Sequence, residues 1–137
     1  MMHSPLHFLR MLAAAVFAAV CLTACFDKTL SDYNYAMEDG KIMAYDGLMP
    51  YDGKIWTDDG ASALLTFSDG MLESIEYFSA EGKRYCVLDA AGQQATFYNG
   101  AGAELQRGAF RHLYRDQYRE WRRLNEEIWE VFKESSM

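Results

Sequence analysis

Between Ala61 and Arg107 the chain is cut into short apolar runs by glycine. Gly60, Gly70, Gly82, Gly92 and Gly102 recur at intervals of 10, 12, 10 and 10 residues. Each follows a small or acidic residue, as in Asp59-Gly60, Asp69-Gly70 and Glu81-Gly82. Tight turns between paired strands need positive φ, which glycine adopts without steric cost. The runs between these turns are rich in strand formers: Ala63-Leu64-Leu65-Thr66-Phe67, Ser74-Ile75-Glu76-Tyr77-Phe78, Arg84-Tyr85-Cys86-Val87-Leu88, Ala95-Thr96-Phe97-Tyr98 and Glu104-Leu105-Gln106-Arg107. Connections this short force neighbouring strands to be antiparallel. The pattern predicts a β-meander of five or six strands over residues 38–110. Ala63, Leu65 and Phe67 fall on one face of their strand and Ser62, Thr66 and Ser68 on the other.

The period changes after Phe110. Arg111 to Glu134 holds no glycine or proline, and Tyr114, Tyr118, Trp121, Leu124, Ile128 and Val131 form a stripe of helical spacing. One long amphipathic helix over 111–134 is expected, packed on or next to the sheet. The fold class is therefore α+β, mainly β. Two uses of the stripe stay open. It closes the core against the sheet, or it docks into a partner through Trp121, Trp129, Ile128 and Phe132. The charge order along the other face is unusual. Arg111, Arg115 and Arg119 come early and Glu126, Glu127, Glu130 and Glu134 late, against the helix dipole. Arg122 with Glu126 and Arg123 with Glu127 are expected as i,i+4 pairs.

Residues 1–24 read as a cleaved signal peptide. Arg10 gives a positive n-region, and Met11 to Val20 is an unbroken apolar run, too short to span a bilayer. It is followed by Leu22-Thr23-Ala24-Cys25. This sequence resembles the lipobox of bacterial lipoproteins, a branched residue and two small ones before a cysteine. The resemblance implies cleavage before Cys25 and lipidation of its thiol, palmitate included. Residues 25–37 would then be the lipidated N-terminus and tether. Phe26, not an aspartate, follows the cysteine. By analogy with enteric lipoproteins this implies the outer membrane facing the periplasm, with the inner membrane and the cell surface as alternatives.

A second resemblance lies in the middle of the chain. Tyr51-Asp52-Gly53-Lys54-Ile55-Trp56-Thr57-Asp58-Asp59-Gly60 resembles a MORN-type repeat. Units such as Thr66-Phe67-Ser68-Asp69-Gly70 are similar to the repeats of YwqK-type antitoxin proteins. The resemblance implies a binding or structural repeat module, with an antitoxin- or immunity-like role as one form of it. It brings no catalytic residues.

Composition narrows the chemistry. All 20 acidic residues lie after Cys25, and of the 13 basic ones only Arg10 precedes it, so the chain from Cys25 carries 12 − 20 = −8. An acidic chain is a poor binder of nucleic acid. With Cys25 lipidated, Cys86 is left alone in the apolar run Tyr85-Cys86-Val87-Leu88, read as core. His112 is the one histidine after the signal, so neither a His/Cys zinc site nor a serine triad is supported. No cofactor is called for. Asp58, Asp59 and Asp69 could be imagined as hydrolytic carboxylates or cation ligands, but aspartate before a turn glycine serves the turn. The expectation is a non-catalytic, lipid-anchored binding or structural module with a protein partner in the cell envelope. A small envelope hydrolase is the other class.

Overall fold

Asp69 and Gly70 both take positive φ, 50° and 83°, the geometry of a two-residue hairpin turn whose twist matches that of its strands. Glycine is needed here twice over. A Cβ on Gly70 would lie 2.8 Å from Met43 Cε and 3.0 Å from Pro50 Cβ, because the turn packs against the neighbouring hairpin. The same device, Asp39 and Gly40 at 52° and 75°, closes the first hairpin. The computed structural model describes residues 29–57, 62–91 and 93–135. Of the expected turn glycines, Gly60 and Gly92 lie outside them.

Among the described residues nine strands form one antiparallel sheet: β1 (Asn34–Glu38), β2 (Lys41–Asp46), β3 (Met49–Pro50), β4 (Gly53–Trp56), β5 (Ala63–Ser68), β6 (Met71–Phe78), β7 (Arg84–Asp89), β8 (Gln94–Tyr98) and β9 (Glu104–Leu105). Each of the five runs expected from Ala63 onward contains a strand, the last of them only at Glu104–Leu105. β5 to β9 follow one another as a meander. β6 is the pivot. It pairs with β5 along one edge, and on the other with β2 at Met43–Met71 and then with β7 from Ser74. Four strands more than a five-strand meander arise upstream, where alternation is too weak to read. Asn34-Tyr35-Ala36-Met37-Glu38 is held by pairing with β2 rather than by its own pattern.

Residues 29–37, expected as part of a tether, belong to the folded domain. From Thr29 the chain is already folded. Thr29 bridges Trp56, Leu30–Asp32 form a single 3-10 turn, Leu30 and Tyr33 are buried, and the Tyr35 hydroxyl donates to the Leu30 carbonyl.

Register places the core residues in cross-strand rows. Ile55, Leu65, Ile75, Leu88 and Ala95 form one; Ala63, Tyr77, Cys86, Phe97 and Leu105 form the next. Cross-strand partners on one face are the unit of sheet stabilisation. A register shift between Tyr77 and Phe78 is the kind of bulge that re-aims a side chain. Both Tyr85 and Cys86 are buried beside it.

The helix crosses these rows, but not as one piece. α1 (Arg107–Leu113) and α2 (Arg115–Ser135) meet at Tyr114, which leaves helical geometry at φ −125°, ψ 59°. The backbone ladder survives the kink: Tyr114 N–H donates to Phe110 O and Tyr118 N–H to Tyr114 O. Tertiary contacts fix the bend. Tyr114 stacks on Phe110 at 5.1 Å, and its hydroxyl accepts from the Gly100 N–H. The helical region also begins at Arg107, ahead of the expected Arg111. Gly108, a poor helix former, hides that first turn from a reading of the sequence. Among the described residues no helix is long and apolar enough to cross a membrane.

Candidate binding surfaces

The apolar stripe of the helix faces inward. Trp121, Leu124, Ile128 and Phe132 are 5%, 3%, 2% and 2% exposed. Trp121 packs against Phe97 at 5.0 Å and Tyr77 at 6.1 Å, and Phe132 against Tyr35 at 5.2 Å. The sheet itself thus occupies the face on which Trp121, Ile128 and Phe132 would have received a partner. Trp129 is half-buried, with its indole N–H donating to Asn125 Oδ1 at 3.0 Å. It lines a cleft of about 450 Å³ where β6 changes neighbour from β2 to β7, together with Met37, Ile42, Leu72 and Ala90.

What α2 turns outward is charge. Arg115, Arg119, Arg122, Glu126 and Glu130 follow one another at steps of 4, 3, 4 and 4 residues and are all exposed. They form a second helical stripe on the side away from the sheet. Together with Arg111, His112 and Tyr118, the basic half lines a shallow cleft of about 1010 Å³. Arg123 is paired along the helix, with both Glu120 and Glu127. Its guanidinium holds the Glu120 carboxyl below the usual carboxylate range. The expected Arg122–Glu126 pair is not formed. Arg111, Arg115, Arg119 and Arg122 have no carboxylate partner among the described residues. The charge order is visible in the sequence, but the docking residues expected there were Trp121, Trp129, Ile128 and Phe132, on the other face. The lack of intrahelical partners could not be read from the sequence, because side-chain rotamers decide it.

Cys86 is fully buried between Tyr77 and Phe97 in its cross-strand row. Burial pushes its thiol up to about 12, so it stays protonated and unreactive at neutral pH, since only the thiolate attacks. A thiol reagent at pH 8 is expected to leave Cys86 untouched in the folded protein and to modify it once denaturant is added. Mass spectrometry of the Cys86 peptide reads both. Asp69 sits in its turn, where its backbone N–H donates to Asp52 Oδ1. Asp58 and Asp59 lie outside the described residues, as do Cys25 and the residues Leu22, Thr23 and Ala24 before it. Among the described residues no three of His, Cys, Asp and Glu come together as metal ligands. Set against protein-family models, curated proteins and solved structures, the chain gives no match.

Proposed function

We propose that the protein is a lipid-anchored, non-catalytic binding module of the cell envelope, with the sheet as scaffold and the charged outer face of α2 as its binding surface. The observation that carries the binding role is the row Arg111, Arg115, Arg119 and Arg122, exposed on a helix whose other face is fixed in the core. These arginines stand without carboxylate partners among the described residues, in a chain of net charge −7. Arg115 and Arg119 lie toward the positive end of the α2 dipole, so they do not serve helix stability.

Anchoring rests on Leu22-Thr23-Ala24-Cys25 after the apolar run. Three residues, Phe26 to Lys28, lie between Cys25 and Thr29, so the two are at most about 14 Å apart along extended backbone. A domain folded from Thr29 onward would be held close against the bilayer. Two acyl chains suffice for stable attachment.

Growth of the native host with labelled palmitate tests the anchor. The parent chain is expected to take up label and to sediment with membranes, and Cys25→Ser to lose both. A Cys25→Ser chain that still carries palmitate would overturn the lipid assignment. Equal labelling of inner- and outer-membrane fractions would overturn the outer-membrane placement.

A further inference from the structure

We infer that the outer face of α2 pairs with the same face of a second copy of this chain, antiparallel and about a two-fold axis. This rests on the reading of that face as the binding surface, and it names the partner.

The argument is charge complementarity within one stripe. Its first three members, Arg115, Arg119 and Arg122, are basic, and its last two, Glu126 and Glu130, are acidic. A stripe that is positive at one end and negative at the other repels a parallel copy and matches an antiparallel one. With the two-fold axis between Arg122 and Arg123, Arg119 of each copy lies opposite Glu126 of the other, and Arg115 opposite Glu130. Both separations along the helix then agree, at about 10 Å and about 22 Å for a rise of 1.5 Å per residue. An isologous interface makes every such pair twice.

Near the axis the two copies bring Arg122 and Arg123 together. Arg123 is already neutralised within its own chain by Glu120 and Glu127, which leaves Arg122 as the residue whose charge opposes pairing there. That Arg115, Arg119, Glu126 and Glu130 form no ion pair among the described residues also follows. Intrahelical pairs would have consumed the groups that the second copy needs.

The contact is polar throughout, and each exposed ion pair is weak. Pairing in dilute solution is therefore slight and sensitive to salt. Anchoring both copies in one bilayer raises their effective concentration and supplies what the contact lacks.

The full lipoprotein, reconstituted in phosphatidylcholine vesicles, tests this by oxidative crosslinking from single introduced cysteines. Arg122→Cys lies beside the axis and is expected to form a disulfide dimer. Arg115→Cys, far from its own copy, is expected to link at least about tenfold more slowly, since a disulfide needs Cα atoms within about 7 Å. In the Arg122→Cys background, the Arg115→Glu/Arg119→Glu chain should fail to link with itself, and so should the Glu126→Arg/Glu130→Arg chain. A mixture of the two should link again, because each then meets its opposite charge at both ends. All four residues are exposed, so folding is retained, which circular dichroism verifies.

Equal linking of Arg122→Cys and Arg115→Cys overturns the inference, as does linking of either charge-reversed chain alone. So does a mixture that does not recover. Binding of the unlipidated Cys25→Ser chain to phosphatidylglycerol but not to phosphatidylcholine vesicles, without dimers, would assign the face to anionic lipid instead. Flotation of the chain with the vesicles reports the anchor separately, so a chain that floats but does not link sinks the pairing alone.

Discussion

Trp121→Ala is expected to destabilise the protein by about 3–5 kcal/mol, the range for removing a large buried aromatic side chain from a core. For a small domain whose whole stability is about 5–15 kcal/mol, that is a large fraction of it, read as a fall in the denaturant midpoint. The indole is 5% exposed and meets Phe97, Tyr77 and Tyr118. The Arg107 guanidinium lies 5.3 Å from its ring centroid. Alanine would leave a void at the point where the start of α2, β6 and β8 meet. Trp129→Ala should cost clearly less, since that ring is half-buried at the cleft. Equal losses at the two positions would contradict this packing. Trp121→Phe provides the finer test. The Trp121 Nε1 hydrogen is buried with no acceptor among the described residues, an arrangement that costs about 1–3 kcal/mol when a polar group is desolvated. Phenylalanine keeps the ring contacts and removes that unpaired donor. Its cost is expected to be less than half that of alanine.

This inward stripe marks how far the sequence could be read. The period of Tyr118, Trp121, Leu124, Ile128 and Phe132 fixes the existence of the helix and the identity of its apolar face. It is silent on what that face meets, because burial against a sheet and docking into a groove demand the same side chains. The five strands from β5 to β9 were legible because Gly70, Gly82 and Gly102, all at positive φ, divide strand-forming runs. β1 and β3 were not. Met49–Pro50 is a two-residue strand held by Tyr45 and Asp46 of β2, and β1 carries only intermediate and exposed side chains. Both are set by long-range pairing, and local pattern holds no trace of it. The kink at Tyr114 is of the same kind, tied by the Tyr114 hydroxyl to the Gly100 N–H of the strand-side loop.

The candidate surface divides in the same way. Arg115, Arg119, Glu126 and Glu130 were visible as a charge order opposed to the helix dipole. That order gains meaning only once the opposite face is known to be buried. A helix with Trp121 and Phe132 in the core can present nothing else to a partner.

Asn125→Leu is expected to cost about 2–4 kcal/mol, although asparagine is a polar residue giving way to an apolar one of similar size. Asn125 Oδ1 accepts two hydrogen bonds, from the Tyr77 hydroxyl at 2.6 Å and from Trp129 Nε1 at 3.0 Å. It fastens α2 to the central strand β6. Tyr77 is fully buried, and burial raises its hydroxyl well above the usual range, so the group stays a neutral donor. Removing the acceptor strands that donor inside the core, at about 1–3 kcal/mol for such a group. The half-buried indole N–H of Trp129 adds a smaller loss. Tyr77→Phe takes away one donor and leaves Asn125 bonded to Trp129, so it should cost only about 1 kcal/mol. The double variant decides the origin of the effect. With Tyr77→Phe in place, Asn125→Leu no longer strands a buried hydroxyl, and the combined loss should fall short of the sum of the single ones by about 1 kcal/mol or more, the size of coupling expected for residues in contact. Strict additivity in chemical denaturation would mean that the two residues act separately, and that α2 is held by its apolar stripe alone.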